Sequence, residues 1–507
     1  MSEQPVVRTR AGAVRGRSEG GLAVFRGIPF AAPPVGALRF QTPRPAQPWD
    51  GVREADVFGP PPPQAWMGPP PPVPPATGPV RHDPTDWLTV NVWTPDPGAG
   101  GLPVLVWVYG GAYRMGSAAE PGYDGSALAR SGAVVVTANH RVGVEGYLEL
   151  DGAPANRGLL DVLATLRWVQ EEIAAFGGDP ARVTVFGESA GAGAIAALLV
   201  SPATTGLVAQ AVAQSVPGTW FTPALARDVS AELTAPLGRA PSAAALADVP
   251  PDELIAALAQ LDRRMASLER WGLVSHTPTP FSPVVDGELV PTDPWTGLAA
   301  GAARDVPLLV GHNRDEWRLF LALGGLVGRV TEEMADVAGD VFGPGPEGAA
   351  RVRAAFPGAG AEERFVLAHS DRMFRMPSLQ LARAHTAGGG RSHLYELTWP
   401  APAAGGVLGA CHALDVPLVF GVLDGRMGEQ LLGPTPPPEA RDLSAAMQAA
   451  WTAFARDGDP GWPAHDDEAQ LTRVFDAGER GGVLRYPEQA SRALWADQPI
   501  GVLDLLP

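Results

Sequence analysis

The chain is poor in several things at once, and each shortage narrows what it can be. Of its 507 residues only Cys411 is a cysteine, so no intrachain disulfide can form and a disulfide-stapled secreted scaffold is excluded. Lysine is absent: all 38 basic residues are arginine, against 55 acids, for a formal net charge of −17. A surface with that acidic excess repels phosphate backbones, so no nucleic-acid partner is expected. The missing lysine, beside abundant Arg, Ala, Gly and Pro, reads as genomic composition bias rather than chemistry. No stretch approaches the roughly 18 apolar residues a membrane span needs, so no membrane is expected either. The start, Met1-Ser2-Glu3-Gln4-Pro5, lacks the basic residues and apolar block of a signal peptide, which points to the cytoplasm.

What is present suits a large globular core. Hydrophobic residues make up 45% of the chain and mean hydropathy is +0.01. Length alone would suggest about three domains. No flexible linker divides the sequence, however, and its candidate catalytic residues are scattered, so residues 1–507 read as one domain with insertions. Apolar runs without alternation at Leu88–Val92, Val104–Tyr109, Ala133–Ala138, Val183–Phe186, Val306–Val310 and His393–Leu397 read as strands of a parallel sheet buried on both faces. Helical patterns at Leu159–Phe176, Gly191–Leu199, Pro251–Glu269 and Leu443–Arg456 intervene, which makes the fold class α/β. Two segments stand apart. Residues 60–79 are proline-dense and read as a stiff extended loop, and residues 222–277 read as a helical, cap-like insertion.

The strongest chemical signal is Arg182-Val183-Thr184-Val185-Phe186-Gly187-Glu188-Ser189-Ala190-Gly191, followed by an alanine-rich helix. A strand, a sharp turn carrying a serine between glycines, and a helix form a nucleophile elbow, in which only glycine flanks allow close backbone approach. A second match, Gly16-Arg17-Ser18-Glu19-Gly20, is followed by Gly21 and a strand-like run with no helix behind it, and reads as a hairpin turn. Context therefore selects Ser189.

Serine needs an imidazole base oriented by a carboxylate, and in this fold the acid and then the histidine follow the serine in the chain. The strand at 306–310 runs into Gly311-His312-Asn313-Arg314-Asp315-Glu316, where one of two adjacent acids should point inward. Five histidines lie beyond it: His369, His385, His393, His412 and His465. His412 follows the strand at 393–397 and its Pro/Ala/Gly loop, where the base belongs. His393 reads as structural, and His369 and His385 as members of solvated helix faces. The turn Tyr109-Gly110-Gly111-Ala112-Tyr113, after an early strand, offers backbone N–H groups for an oxyanion hole, joined by Ala190 at the start of the elbow helix.

The chain resembles the type B carboxylesterases, the family of para-nitrobenzyl esterases, liver carboxylesterases and cholinesterases, along nearly its whole length. The resemblance is carried by Phe25-Arg26-Gly27-Ile28-Pro29-Phe30-Ala31, Leu88–Pro95, Asn139–Gly146, Gly158–Asp161, Phe176–Pro180, the elbow, Pro283–Gly287, Gly311–Glu316 and Pro417–Gly421. It implies an α/β-hydrolase fold, with a large, mostly parallel central sheet flanked by helices. It also implies Ser189 as nucleophile, Glu316 rather than Asp315 as acid, His412 as base, and Gly111, Ala112 and Ala190 as oxyanion donors. Ser215 matches a serine that supports the acid and the histidine, and Asp415 stands where a glutamate is usual, in the same supporting shell. Trp317 replaces a common glycine beside the acid. With Trp220 and Phe221 it is expected to wall an apolar pocket for the substrate.

The expected activity is hydrolysis of small carboxylic esters through an acyl-enzyme, without cofactor or metal; the sequence sets no oligomeric state. An amide or carbamate hydrolase could use the same triad. A non-catalytic adhesion or binding module of the same fold is the reading from another class, but such chains lose a triad member and this one keeps all three.

Overall fold

The computed structural model describes residues 4–64 and 83–507. Of the proline-dense stretch, residues 60–64 carry no helix or strand, and the rest lies outside the described residues. Two compact units emerge, one from Met1–Gln210, Trp220–Thr292 and Val502–Pro507, the other from Ala211–Thr219 and Asp293–Gly501.

In the first unit the strand Leu102–Val108 is flanked by Val134–Ala138 and Gly178–Glu188, both parallel to it, with Val106 opposite Val136 on one side and Val185 on the other. β-Branched residues fill this centre, and Val104, Leu105, Val134 and Val183 are wholly shielded from solvent. Beyond Val134–Ala138 the sheet turns antiparallel, through Thr89–Thr94 and Leu22–Pro29 to Arg17–Glu19. The strand expected near Leu88–Val92 is thus real but not parallel. A strand buried on both faces is apolar throughout whichever way its neighbours run, so its sequence does not encode direction. The chance serine match does lie in a hairpin, with Arg17-Ser18-Glu19 as its first strand and the turn made by Gly20 and Gly21, at φ 55° and 84°.

The helix Arg157–Glu172 buries Leu159, Val162, Leu163, Leu166 and Val169 along one face, at the spacing a helix requires. Its Asp161 accepts from the Arg141 backbone N–H at 2.9 Å and from Nε and Nη2 of the guanidinium at 2.8 and 2.7 Å. That pair ties the helix to the loop that follows Val134–Ala138.

Residues 222–277 carry a run of short helices. Thr222 caps Pro223–Thr234 by accepting from Leu225 N–H, and Ser242 caps Ala243–Leu246 in the same way. Pro251–Arg264 starts with proline, has Asp252 and Glu253 in its first turn and ends on Arg263 and Arg264, an order that suits the helix dipole.

In the second unit, residues 211–214, Leu308–Asn313, Ser392–Leu397 and Leu471–Phe475 run parallel in that order, and Gly482–Arg485 closes the edge antiparallel. Gly311 lies opposite Tyr395; a Cβ there would stand 2.3 Å from the Tyr395 ring, so only glycine lets that ring lie across the strand. A long helix, Pro438–Asp457, covers this unit's core with Leu443, Met447, Trp451 and Phe454 buried. Among the described residues no helix is long and apolar enough to cross a membrane.

Candidate active site

In the first unit Ser189 separates the strand Gly178–Glu188 from the helix Ala190–Leu199, with φ 56° and ψ −126°. That conformation is unfavourable for a residue with a Cβ and persists only where the surroundings impose it. The neighbours do. A Cβ on Gly191 would lie 2.0 Å from Val108 O, and one on Gly187 would lie 2.6 Å from the same oxygen. Both flanking glycines are therefore required by contact, not only by flexibility.

The Tyr109–Tyr113 turn runs alongside. A Cβ on Gly110 would meet the Ser189 Cβ at 3.0 Å, which fixes how closely the turn approaches the serine. Gly111, Ala112 and Tyr113 all have positive φ, at 112°, 56° and 58°. Neither the Gly111 nor the Ala112 N–H has a hydrogen-bond acceptor among the described residues. Ala190, first in its helix, has no intrahelical acceptor for its own N–H. The turn is braced from outside. Tyr109 OH donates to His140 O at 2.9 Å, and the Gln64 amide bonds both the N–H and the carbonyl of Gly116 at 2.8 and 3.1 Å. Trp220 and Phe221 are both buried; Trp220 O accepts from Leu503 N–H, and Phe221 pairs through its backbone with the segment around Val284.

The second unit gathers the acid and the histidine. The strand Leu308–Asn313 delivers Glu316, fully buried. Its Oε2 lies 2.6 Å from His412 Nδ1, and its Oε1 accepts from Ser215 Oγ at 2.6 Å and from Asn313 N–H at 2.8 Å. The two adjacent acids are engaged differently. Asp315 Oδ2 is taken by the Ala410 N–H at 2.9 Å, so it fastens the loop that carries the histidine while Glu316 faces the ring. Ser215 reaches its partner from a left-handed conformation, φ 56°.

Behind this pair lies Asp415, also fully buried. It accepts from Gln214 Nε2 at 2.8 Å, Tyr395 OH at 2.9 Å and Asn313 Nδ2 at 3.3 Å. Burial, then the charge of Glu316, pushes its pKa up, against the pull of those three donors. Burial likewise raises the pKa of Cys411, beside His412, so its thiol stays protonated.

Two phenylalanines that the sequence did not single out lie against the imidazole: Phe374 with its centroid 4.2 Å from that of His412, and Phe320 at 5.2 Å. The Trp317 backbone N–H donates to Ser370 Oγ, and the indole ring stacks on His369 at 4.5 Å. His369 and His385 are thus not on solvated faces. His369 sits among Trp317, Phe342 and Phe365, and His385 bonds Ser392 Oγ at 2.8 Å, both nearly shielded from solvent. Both helices bury the histidine, and the arginines nearby are no guide to solvent: Arg375 is itself buried. His393 is structural, with Nδ1 2.9 Å from Trp462 O. Asn313, Gln214 and Tyr395 were invisible in sequence because each acts from a strand end or strand face whose register must be known first. No group of three or more His, Cys, Asp or Glu side chains among the described residues could hold a metal.

The chain matches the carboxylesterase family over residues 3–336. It is similar to the para-nitrobenzyl esterase of Bacillus subtilis (strain 168), 36% identical over 93% of this chain and 95% of that protein. It is also similar to carboxylesterase 3 of Homo sapiens, 33% identical over 97% and 90%. Among solved structures, a PNB esterase superposes with a TM-score of 0.83 at 35% identity, covering 97% of this chain and 99% of the other. A carboxylesterase of Geobacillus stearothermophilus gives 0.83 at 34%, with the same coverage. The fold is accordingly that of the α/β-hydrolases, a mixed sheet flanked by helices.

Proposed function

Because the chain belongs to the carboxylesterase family, we propose that its hydrolysis of esters runs through Ser189 as nucleophile, His412 as general base and Glu316 as the acid that orients the base. The chain is a carboxylic ester hydrolase acting on small esters. In the proposed sequence Ser189 Oγ bonds to the ester carbonyl carbon as His412 takes its proton. The carbon–oxygen bond to the alcohol then breaks as the imidazolium protonates the departing oxygen. Water, deprotonated by the same imidazole, attacks the acyl-enzyme and releases the acid. The N–H groups of Gly111, Ala112 and Ala190 serve as the oxyanion donors in this reading.

The observation that carries the reading is the short bond between His412 Nδ1 and Glu316 Oε2. An ionised carboxylate there holds the proton on Nδ1 and leaves Nε2 as the basic nitrogen. Ser215 and Asp415 are positioning residues that fix the carboxylate, and Trp220, Phe221 and Trp317 form apolar pocket walls. The helical segment 222–277 acts as a cap within a single hydrolase domain. A cytoplasmic setting belongs to the same reading, supported by one buried cysteine that cannot enter an intrachain disulfide. Initial rates on matched aryl acetates and acetanilides test the reaction class. Faster turnover of the acetates supports an esterase, and equal or faster turnover of the anilides would make it an amidase.

A further inference from the structure

Buried guanidinium groups in this protein are matched with care. Arg141 grips Asp161 with two of its nitrogens, Arg375 pairs with Asp371 and Glu488, and Arg114 pairs with Asp262. Arg157, which has no carboxylate in direct contact among the described residues, donates instead to the carbonyls of Val144, Glu145, Leu148 and Pro154.

Arg372, only partly shielded from solvent, has no such match among the described residues. It lies on the π-helical turn Asp371–Arg375, and its one hydrogen bond among the described residues runs from Nη1 to Gly218 O at 2.7 Å. No carboxylate of the described residues pairs with it. Burial alone draws its pKa down to about 10, with no neighbouring acid to oppose the shift. The side chain nevertheless keeps partial solvent access, and its unused donors at Nε and Nη2 are not sealed inside the protein. A half-buried cation with no counter-charge leaves donors free for a ligand, and a guanidinium fork is shaped to take a carboxylate through two parallel bonds.

Its surroundings lead to the reacting groups. Gly218, which anchors it, is three residues beyond Ser215, the partner of Glu316. That is a reach of at most about 10 Å of extended chain. Phe374, on the same turn, packs against His412. We propose that Arg372 binds a free carboxylate carried by the ester substrate, so that monoesters of short dicarboxylic acids are the preferred class. The inference rests on the serine-esterase reading above. It adds a recognition residue and leaves the bond-making steps unchanged.

The test compares 4-nitrophenyl glutarate monoester, charged on the acid side, with neutral 4-nitrophenyl butyrate; the butyrate ester of 4-hydroxybenzoate places the charge on the alcohol side instead. The wild type should prefer the glutarate monoester to the butyrate. Arg372→Met should lower kcat/KM for that monoester about ten- to hundredfold, mainly through KM, and change butyrate hydrolysis by no more than about threefold. Arg372→Lys, which keeps a point charge, should recover part of the loss. Free glutarate should inhibit the wild type competitively at concentrations where butyrate does not, an arm that needs no variant. Equal losses on charged and neutral esters, or a wild type with no preference and no glutarate inhibition, would overturn the proposal. Charge dependence seen only on the alcohol side would overturn the dicarboxylic assignment. If the neutral butyrate is not hydrolysed at all, it is the esterase reading that has failed.

Discussion

Glu316 and His412 are both buried and share a 2.6 Å contact between Oε2 and Nδ1, while the other carboxylate oxygen is held by two donors. A carboxylate fixed on one side by Ser215 and Asn313 cannot swing away from the ring, so in the proposed cycle the imidazole keeps one orientation. Glu316→Gln preserves the shape but removes the charge that stabilises the imidazolium. The expected loss in kcat is roughly 10³- to 10⁴-fold, the scale seen when a triad carboxylate becomes an amide. Steady-state kinetics beside a melting curve checks this. A loss below about tenfold would give the orienting role to another acid.

The backbone at Ser189 predicts a stability effect opposite in sign to its effect on activity. A residue with a Cβ at φ 56°, ψ −126° stores strain, on the order of 1–3 kcal/mol. Ser189→Gly removes that strain at a cost of roughly 0.5–1 kcal/mol in chain entropy, whereas Ser189→Ala keeps it. Both variants should be inactive, and the glycine variant should melt higher than the alanine variant in calorimetry. The reverse order would mean that the elbow is relaxed.

Two buried groups in the second unit should pull stability in opposite directions with pH. Burial holds the pKa of His312 down to about 4, helped by the charge of Arg375; the ring contacts the Tyr486 hydroxyl at 3.1 Å. Its folded value lies below the unfolded one, so its contribution is complete above about pH 6.5 and is lost as pH falls toward 4. Glu396 behaves the other way. Burial, reinforced by the charge of Glu488, raises its pKa to about 8, although Arg314 lies between the two carboxylates at 3.3 and 2.9 Å. Its contribution is complete below the unfolded value near 4.5 and is lost as pH rises through 8. Relative to His312→Asn, the wild-type melting temperature should fall on acidification from pH 6.5 to 4.5. Relative to Glu396→Gln, it should fall on raising pH from 5 to 8. Parallel curves in either comparison would contradict the assignment concerned.

Much of this was written in short sequence signals, and what was not has a physical reason. The elbow was legible because Gly187 and Gly191 answer a contact with Val108 O that no other residue can meet. The fold class followed from apolar strands alternating with helices, but not the antiparallel setting of Thr89–Thr94, because full burial erases the pattern that would show it. The inward acid could not be told from its neighbour by composition or periodicity; family resemblance points to Glu316, and only the folded chain shows its carboxylate meeting His412 while Asp315 bonds the Ala410 amide. The burial of His369 and His385 is not legible in sequence, because arginines nearby in the chain say little about which helix face meets the core. Phe374 was hidden for a similar reason: it reaches the imidazole from a π-helical turn, whose extra residue per turn shifts side chains away from the faces a regular helix would give them.

The most direct test of the central claim is covalent capture of the nucleophile. Treated with a fluorophosphonate and digested, the protein should yield one modified peptide, bearing the adduct on Ser189. Esterase activity should disappear in step with labelling, and Ser189→Ala should show neither. An adduct on another residue, or ester hydrolysis surviving in the folded alanine variant, would contradict the account.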